Sequence, residues 1–285
     1  MSAAFFEPGT VEEAAGLLAA HEGAVCLSGG ATLVAMMNAD LVAPGAVVSL
    51  QRIEVLRGLG RRPDGTVRIG AMSRHNETAG SPLFEAGQRV VPEAAARIAN
   101  HVVRNMGTMG GSVAFADPAA DYPPALVAAD AVIEVTGAAG TRRIAAEDFF
   151  VGWYETALAP GELVTAIEVP PAPARSHGSY DKLDRVAGDF AIASVALVLA
   201  HDGGALRHLR IAVGGCGPTP VRVPAAERLL LEQGLEAIPR AGAMIAEACD
   251  PVDDVRASAD YRRTVAPRLV ARALRRAVAP PAEAA

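Results

Sequence analysis

Cysteine is scarce in this chain. Cys26, Cys216 and Cys249 are far apart and odd in number among 285 residues, which argues against a disulfide framework. None belongs to a Cys-x-x-Cys pair, so the chain is not expected to ligate an iron–sulfur cluster or a structural zinc by itself. No apolar run approaches the roughly 18 residues of a membrane span. The first residues, Met-Ser-Ala-Ala-Phe-Phe-Glu-Pro, lack the basic start and long apolar core of a secretory leader, and a cytoplasmic protein is expected. No basic run with interleaved aromatics occurs, and a net charge of −6 with pI ≈ 5.6 argues against nucleic acid as a partner. Gly-x-Gly-x-x-Gly with its acidic ribose partner is missing, as is the Walker pattern. So are a Ser-His-Asp arrangement, paired catalytic carboxylates in one motif, and zinc spacing. His75 stands alone and reads as a hydrogen-bonded loop residue.

What is present is glycine and proline, 28 and 20 residues, within an ordinary soluble composition of 51% hydrophobic and 20% charged residues. Many turns follow, in two domains or three small ones. The glycines concentrate where chemistry is plausible. Arg104 to Leu126 contains Gly107, Gly110 and Gly111, the hydroxyls of Thr108 and Ser112, and then Asp117 and Asp121. Glycine permits positive φ and lets another molecule approach the main chain. Successive N–H groups in such a turn can hold an anion. The carboxylates could accept hydrogen bonds from sugar hydroxyls or a ring N–H. A plain surface turn with Asp117 as a cap before Pro118 fits this stretch equally.

A second stretch has the same character. Ala24 to Leu27 reads as a buried strand, Ser28-Gly29-Gly30 as a turn, and residues 31–38, opened by Thr32, as a helix. A strand, a Gly-Gly turn and a helix N-terminus together make an anion site, because the first N–H groups of the helix lack internal partners. Two such loops could clasp the two phosphates of a dinucleotide.

Ser28-Gly29-Gly30-Ala31-Thr32-Leu33, then Arg104-Asn105-Met106-Gly107-Thr108-Met109-Gly110-Gly111-Ser112, then Asp117-Pro118-Ala119-Ala120-Asp121 resemble the two FAD-binding loops of molybdenum hydroxylase flavoprotein subunits. That family includes the medium subunit of aerobic carbon monoxide dehydrogenase and the FAD subunits of xanthine dehydrogenase-type enzymes. The resemblance covers essentially the whole chain. It implies an α+β fold: a two-subdomain, vanillyl-alcohol-oxidase-like FAD-binding domain, then an α+β C-terminal domain with an antiparallel sheet and helices. Three prolines in residues 170–175 mark the linker. The expected domains are 1–172, with subdomains of about 1–55 and 56–172, and 176–279; residues 280–285 are expected to be a disordered tail.

The resemblance also implies site roles. Main-chain N–H groups of Gly29, Gly30, Gly110 and Gly111, with the Thr32 and Thr108 hydroxyls, would hold the FAD pyrophosphate, and Leu27, Ala31, Leu33, Ser112 and Asp117 would complete the loops. Asp121 would receive a hydrogen bond from the flavin or its ribityl chain. Ile98 lies near the position of an aromatic flavin neighbour, Val164 would touch the flavin by its backbone, and Lys182 would approach it from the second domain. No catalytic side chain is implied. The implied partners are a large molybdopterin-binding subunit and a small [2Fe–2S] subunit, with NAD, a quinone or oxygen as acceptor. Two other readings stay open. One is a stand-alone reductase of the same fold, resembling the enolpyruvyl-sugar reductase of cell-wall synthesis, which would need an acid–base residue at the flavin; none stands out. The other is a binding or assembly module whose Gly loops are structural.

The remaining expectations concern local structure. Thr10 to Glu13 fits a capping box. Pro92 is expected to begin a helix running through Ile98 and Ala99. Ala191 to His201 reads as a long apolar strand, with a hairpin turn at 201–204. Residues 214–218 read as a tight strand end, 224–248 as two helices, and the arginine-rich last helix as a solvated face or a subunit contact.

Overall fold

Parallel strands joined by helices begin the chain. β1 (Ala4–Phe6), α1 (Val11–Ala20), β2 (Ala24–Leu27), α2 (Leu33–Asn38) and β3 (Ala46–Ser49) form a sheet of order β1-β3-β2, with β3 parallel to both neighbours. The computed structural model describes residues 3–203 and 205–279. The expected tail, 280–285, and Gly204 of the expected turn lie outside them. Thr10 caps α1 through the Glu13 N–H, but the Glu13 carboxylate accepts from Gly9 rather than from Thr10, so only half of the capping box forms. α2 starts two residues later than expected.

The middle of the chain contains β4 (Leu59–Arg61), β5 (Val67–Gly70), α3 (His75–Ala79), α4 (Val90–Arg97), α5 (His101–Met106), α6 (Met109–Phe115), α7 (Tyr122–Ala128), β6 (Val132–Gly137), β7 (Gly140–Ala145), α8 (Ala146–Phe149), the small hairpin β8 (Phe150–Gly152) and β9 (Glu155–Thr156), and β10 (Leu163–Val169). Its antiparallel sheet has the order β4-β5-β10-β6-β7. α4, α6 and α7 fill one core with it, around the fully buried Tyr122, Phe149, Ile69 and Met109.

The expectation of a helix through Ile98 and Ala99 is overturned. α4 stops at Arg97; Ile98 is extended and Ala99 has φ +40°. The cause is Asn100, whose side chain caps a new helix by accepting from the Val103 N–H. Arg104 donates to the freed carbonyls of Ile98 and Ala99 at 2.7 and 2.9 Å.

The last part is β11 (Ser176–Leu183), β12 (Ala193–Asp202), β13 (Ala205–Gly214), α9 (Pro224–Gln233), α10 (Ile238–Ala248) and α11 (Ala259–Val278), with sheet order β11-β12-β13. Val195, Leu197 and Leu199 pack against the three helices, whereas Ala196 and Val198 point into the core shared with α7. Both faces of the sheet are covered, which is why β12 reads as one apolar run rather than an alternation. The reading of the α11 arginines as a solvated face fails for Arg262. That side chain is buried and donates to the carbonyls of Ile192 and Gly215 and to Asp254. Arg272 and Arg276 pair with Asp181 on β11.

Candidate functional site

The two glycine loops meet. After β2 the chain turns at Ser28-Gly29-Gly30, with Gly30 at φ +75°. A Cβ on Gly29 would collide with the Met106 carbonyl and the Gly107 α-carbon. The Thr108 hydroxyl donates to the Ser28 hydroxyl at 3.1 Å, and the Gln51 amide holds the Ser28 carbonyl at 2.7 Å. A cavity of about 400 Å³ opens here, lined by Leu27 to Ala31, Val34, Gln51 and Met106.

The loops differ in what they offer. The backbone N–H groups of Gly29, Gly30, Ala31, Thr32 and Leu33 donate to no acceptor among the described residues. Thr32 precedes α2 without capping it, so its exposed hydroxyl is also uncommitted. Five consecutive free donors beside a cavity suit a diphosphate.

The second loop is a helix start. Thr108 caps α6 by accepting from Gly111, and the Gly110 N–H donates to the Ala71 carbonyl at 2.8 Å. This corrects the expectation that the N–H groups of Gly110 and Gly111 are free for phosphate. Nor is positive φ the reason for these glycines: Gly107, Gly110 and Gly111 all lack it. They are needed for close approach. An added Cβ would lie 2.5 Å from Ala71 Cβ at Gly110, from Ser28 Oγ at Gly111, and from His75 Nε2 at Gly107.

A second cluster forms at the far end of α6, whose seven residues extend about 10 Å. Ala116 ends the helix in the left-handed conformation, and Asp117 ties off the next turn by accepting from the Ala119 N–H. Asp121 then turns toward β11. Its Oδ1 accepts from the Tyr180 hydroxyl at 2.7 Å and lies 3.0 Å from Lys182 Nζ. Lys182 also donates to the carbonyls of Arg97, next to Ile98, and Asp189. Burial pushes the carboxyl pKa of both Asp117 and Asp121 upward. For Asp121 the opposing pulls are the Lys182 charge and the hydrogen bonds from Tyr180 and Lys182.

The expected site residues therefore fall into two groups. Leu27 to Leu33 gather with Thr108, Gly110, Gly111 and Ser112; Asp121 gathers with Lys182 and the backbone beside Ile98. Asp117 stands at the turn between them. Val164 belongs to neither. It pairs with Val135 in the main core and does not line the cavity. Lys182 is a fully engaged buried cation rather than a free one.

Three contributors escaped the sequence reading, Gln51, Tyr122 and Tyr180, while His75, expected as a hydrogen-bonded loop residue, is hydrogen-bonded but opens α3. His75 is buried under the second loop, donates its N–H to the Gly107 carbonyl, and meets the Tyr122 hydroxyl at 3.2 Å through Nδ1. Burial, aided by the Arg104 charge, lowers its pKa to about 4. Only Tyr180 had a sequence signal: it lies two residues from Lys182 on one strand and so shares its face.

Comparison with known proteins decides the family. Residues 1–172 match the FAD binding domain in molybdopterin dehydrogenase, and residues 178–277 match the CO dehydrogenase flavoprotein C-terminal domain. The chain belongs to the FAD-binding medium subunits of molybdenum hydroxylases. It is 36% identical over 273 residues to the carbon monoxide dehydrogenase medium chain of Hydrogenophaga pseudoflava, covering 95% of each chain. It is also 36% identical over 276 residues to the 6-hydroxypseudooxynicotine dehydrogenase complex subunit alpha of Paenarthrobacter nicotinovorans, covering 94% of this chain and 93% of that one. A solved structure of CO dehydrogenase from Oligotropha carboxidovorans superposes with a TM-score of 0.93 at 34% identity, over 98% of both chains. As a medium subunit of this family the chain is an oxidoreductase component, and its cofactor is FAD. The free N–H run from Gly29 to Leu33 fits that cofactor's diphosphate. Among the described residues no helix is long and apolar enough to cross a membrane.

Proposed function

We propose that this medium subunit is the electron exit of a molybdenum-containing hydroxylase. In this reading electrons reach it from the [2Fe–2S] clusters of a small partner subunit, after substrate oxidation at a large molybdopterin-binding subunit. They leave it for an external acceptor such as NAD, a quinone or oxygen. Bound FAD supplies the redox chemistry, because a flavin exchanges electrons singly or in pairs.

The chain's own groups bind and orient. The N–H groups of Gly29 to Leu33 and the Thr32 hydroxyl hold the diphosphate, with oriented dipoles in place of lysines. Each helix-terminus contact contributes roughly 0.3–1 kcal/mol, so several must act together. Thr108, through Ser28, and Gly29, through its fit against Met106, hold the two loops in register. Asp121, braced by Lys182, receives a donor from the flavin end. The free donor run beside the cavity is the observation that carries this reading.

The test is purification with the partner subunits, followed by metal analysis and a flavin spectrum. Stoichiometric flavin together with molybdenum and iron is expected, with flavin bleaching on substrate addition. A colourless chain that joins no metal-carrying subunit would contradict the proposal.

A further inference from the structure

Asp121 occupies the position before α7 where an aspartate would ordinarily cap the helix, yet its side chain makes no capping bond, because its own backbone is already helical (φ −78°, ψ −33°). The carboxylate is instead carried into the buried space under β11. There Tyr180 donates to Oδ1 at 2.7 Å, and Lys182 lies 3.0 Å from Oδ1 and 3.3 Å from Oδ2. A carboxylate offers about four lone-pair positions, so acceptor capacity remains on Oδ2.

Both donors are themselves held. The Tyr180 ring is packed in the main core and its backbone N–H donates to Glu93. The Lys182 ammonium has three donors and is anchored by the Arg97 and Asp189 carbonyls.

We propose that Tyr180 is a positioning residue of the FAD site: its phenol, with Lys182, fixes the Asp121 carboxylate in one orientation and keeps it an ionised acceptor for a donor of the cofactor. This rests on the reading that Asp121 serves FAD. Lys182 alone supplies the charge but permits several approaches to two oxygens. The phenol binds one oxygen only and therefore sets the rotation. It also matters for ionisation. Burial pushes the Asp121 pKa up, and the Tyr180 hydrogen bond is among the effects that pull it back. The charged or titratable groups facing Asp121 are Lys182 and Tyr180 from β11, Arg97 from α4, and Tyr122 from its own helix; Asp184 stands 4.0 Å from Lys182.

The experiment is a fluorescence titration of FAD onto the flavin-stripped complex between about pH 5 and about pH 8, for the wild type and Tyr180→Phe. Tyr180→Phe removes one oxygen atom. Loss of a hydrogen bond to a charged group predicts about tenfold weaker FAD binding at the alkaline end. It also predicts a steeper loss toward acid than in the wild type, because the carboxylate then protonates at higher pH. In an Asp121→Asn background, the Tyr180→Phe change should shift affinity far less.

Unchanged affinity with an unchanged pH profile in Tyr180→Phe would overturn the proposal. A uniform loss that runs parallel to the wild type at every pH would also overturn it, since the phenol would then not act through the ionised Asp121 carboxylate. Should Tyr180→Phe not fold, 3-fluorotyrosine at position 180 decides: its more acidic phenol is the stronger donor, so an acid-side fall displaced to lower pH supports the proposal, and a profile identical to that of the wild type overturns it. A wild type that takes up no FAD would instead sink the functional reading beneath it.

Discussion

The hydroxyl of Thr108 donates to the hydroxyl of Ser28 at 3.1 Å, across 80 positions of sequence. That bond joins the start of α6 to the turn after β2, and nearby Gly29 packs so closely on Met106 and Gly107 that no Cβ fits between them. The free donors of residues 29–33 are presented from this junction.

Gly29→Val is the sharpest steric test of the junction. Its side chain has no space against the Met106 carbonyl, so the loops must part. FAD affinity should fall by more than about tenfold, equivalent to about 1.4 kcal/mol or more. Far-ultraviolet circular dichroism should stay near that of the wild type. The flavin-to-protein absorbance ratio of the purified complex reads the outcome, and an unchanged ratio would show that the junction can be opened without harm.

Gly111→Val should act by a different route. The new Cβ would meet Ser28 Oγ and Thr108 Oγ1, breaking the hydroxyl pair and straining the α6 cap. A folded, colourless protein is expected. Gly111→Ala, with less bulk, should keep more flavin than the valine variant, and equal flavin content in both variants would argue against the steric account.

His75 gives a pH dependence of stability. Its folded pKa, about 4, lies below the usual 6.5 because burial disfavours the cation. Below pH 6.5 the unfolded chain takes up the proton first. The stabilisation is therefore complete above pH 6.5 and is lost as pH falls toward 4. At about 1.4 kcal/mol per pH unit, the loss across that window is about 3 kcal/mol. Urea unfolding at several pH values should show wild-type stability falling more steeply toward acid than that of His75→Phe. Parallel curves would remove His75 from the explanation.

Arg262→Met should destabilise the last part of the chain. The guanidinium is buried and satisfies the Ile192 and Gly215 carbonyls, while Gly215 also donates to the Pro118 carbonyl near Asp117. Leaving two carbonyls and Asp254 without this donor should cost about 2–4 kcal/mol. The urea midpoint measures it, and a midpoint within error of the wild type would contradict the role assigned here.

Much of this architecture was legible. Gly29, Gly30, Gly110 and Gly111 announced two loops of unusual composition, the long apolar run from Ala191 to His201 located β12, and residues 224–248 read as the paired helices α9 and α10. The loops were less legible in their physics. Gly30 does use positive φ, but Gly110 and Gly111 are glycines because Ala71 and Ser28 press on them, and no local pattern shows that. The break at Ile98 was hidden because Asn100 could have been an interior residue; Arg104 capturing two carbonyls decides the matter from six residues away. Lys182 and Asp121 were both singled out, but their ion pair, 61 residues apart, depends on the β11-β12-β13 sheet packing over α7 through β12 and β13. Gln51 carried no signal, since a single polar residue in a loop has many ordinary uses, and His75, expected in a loop, instead opens α3.

The most direct test of the central claim is an experimental structure of the complex with FAD bound. The account predicts diphosphate oxygens within hydrogen-bonding distance of N–H groups between Gly29 and Leu33, with Ser28 and Thr108 still paired. A diphosphate seated away from that turn, with those N–H groups facing water, would contradict it.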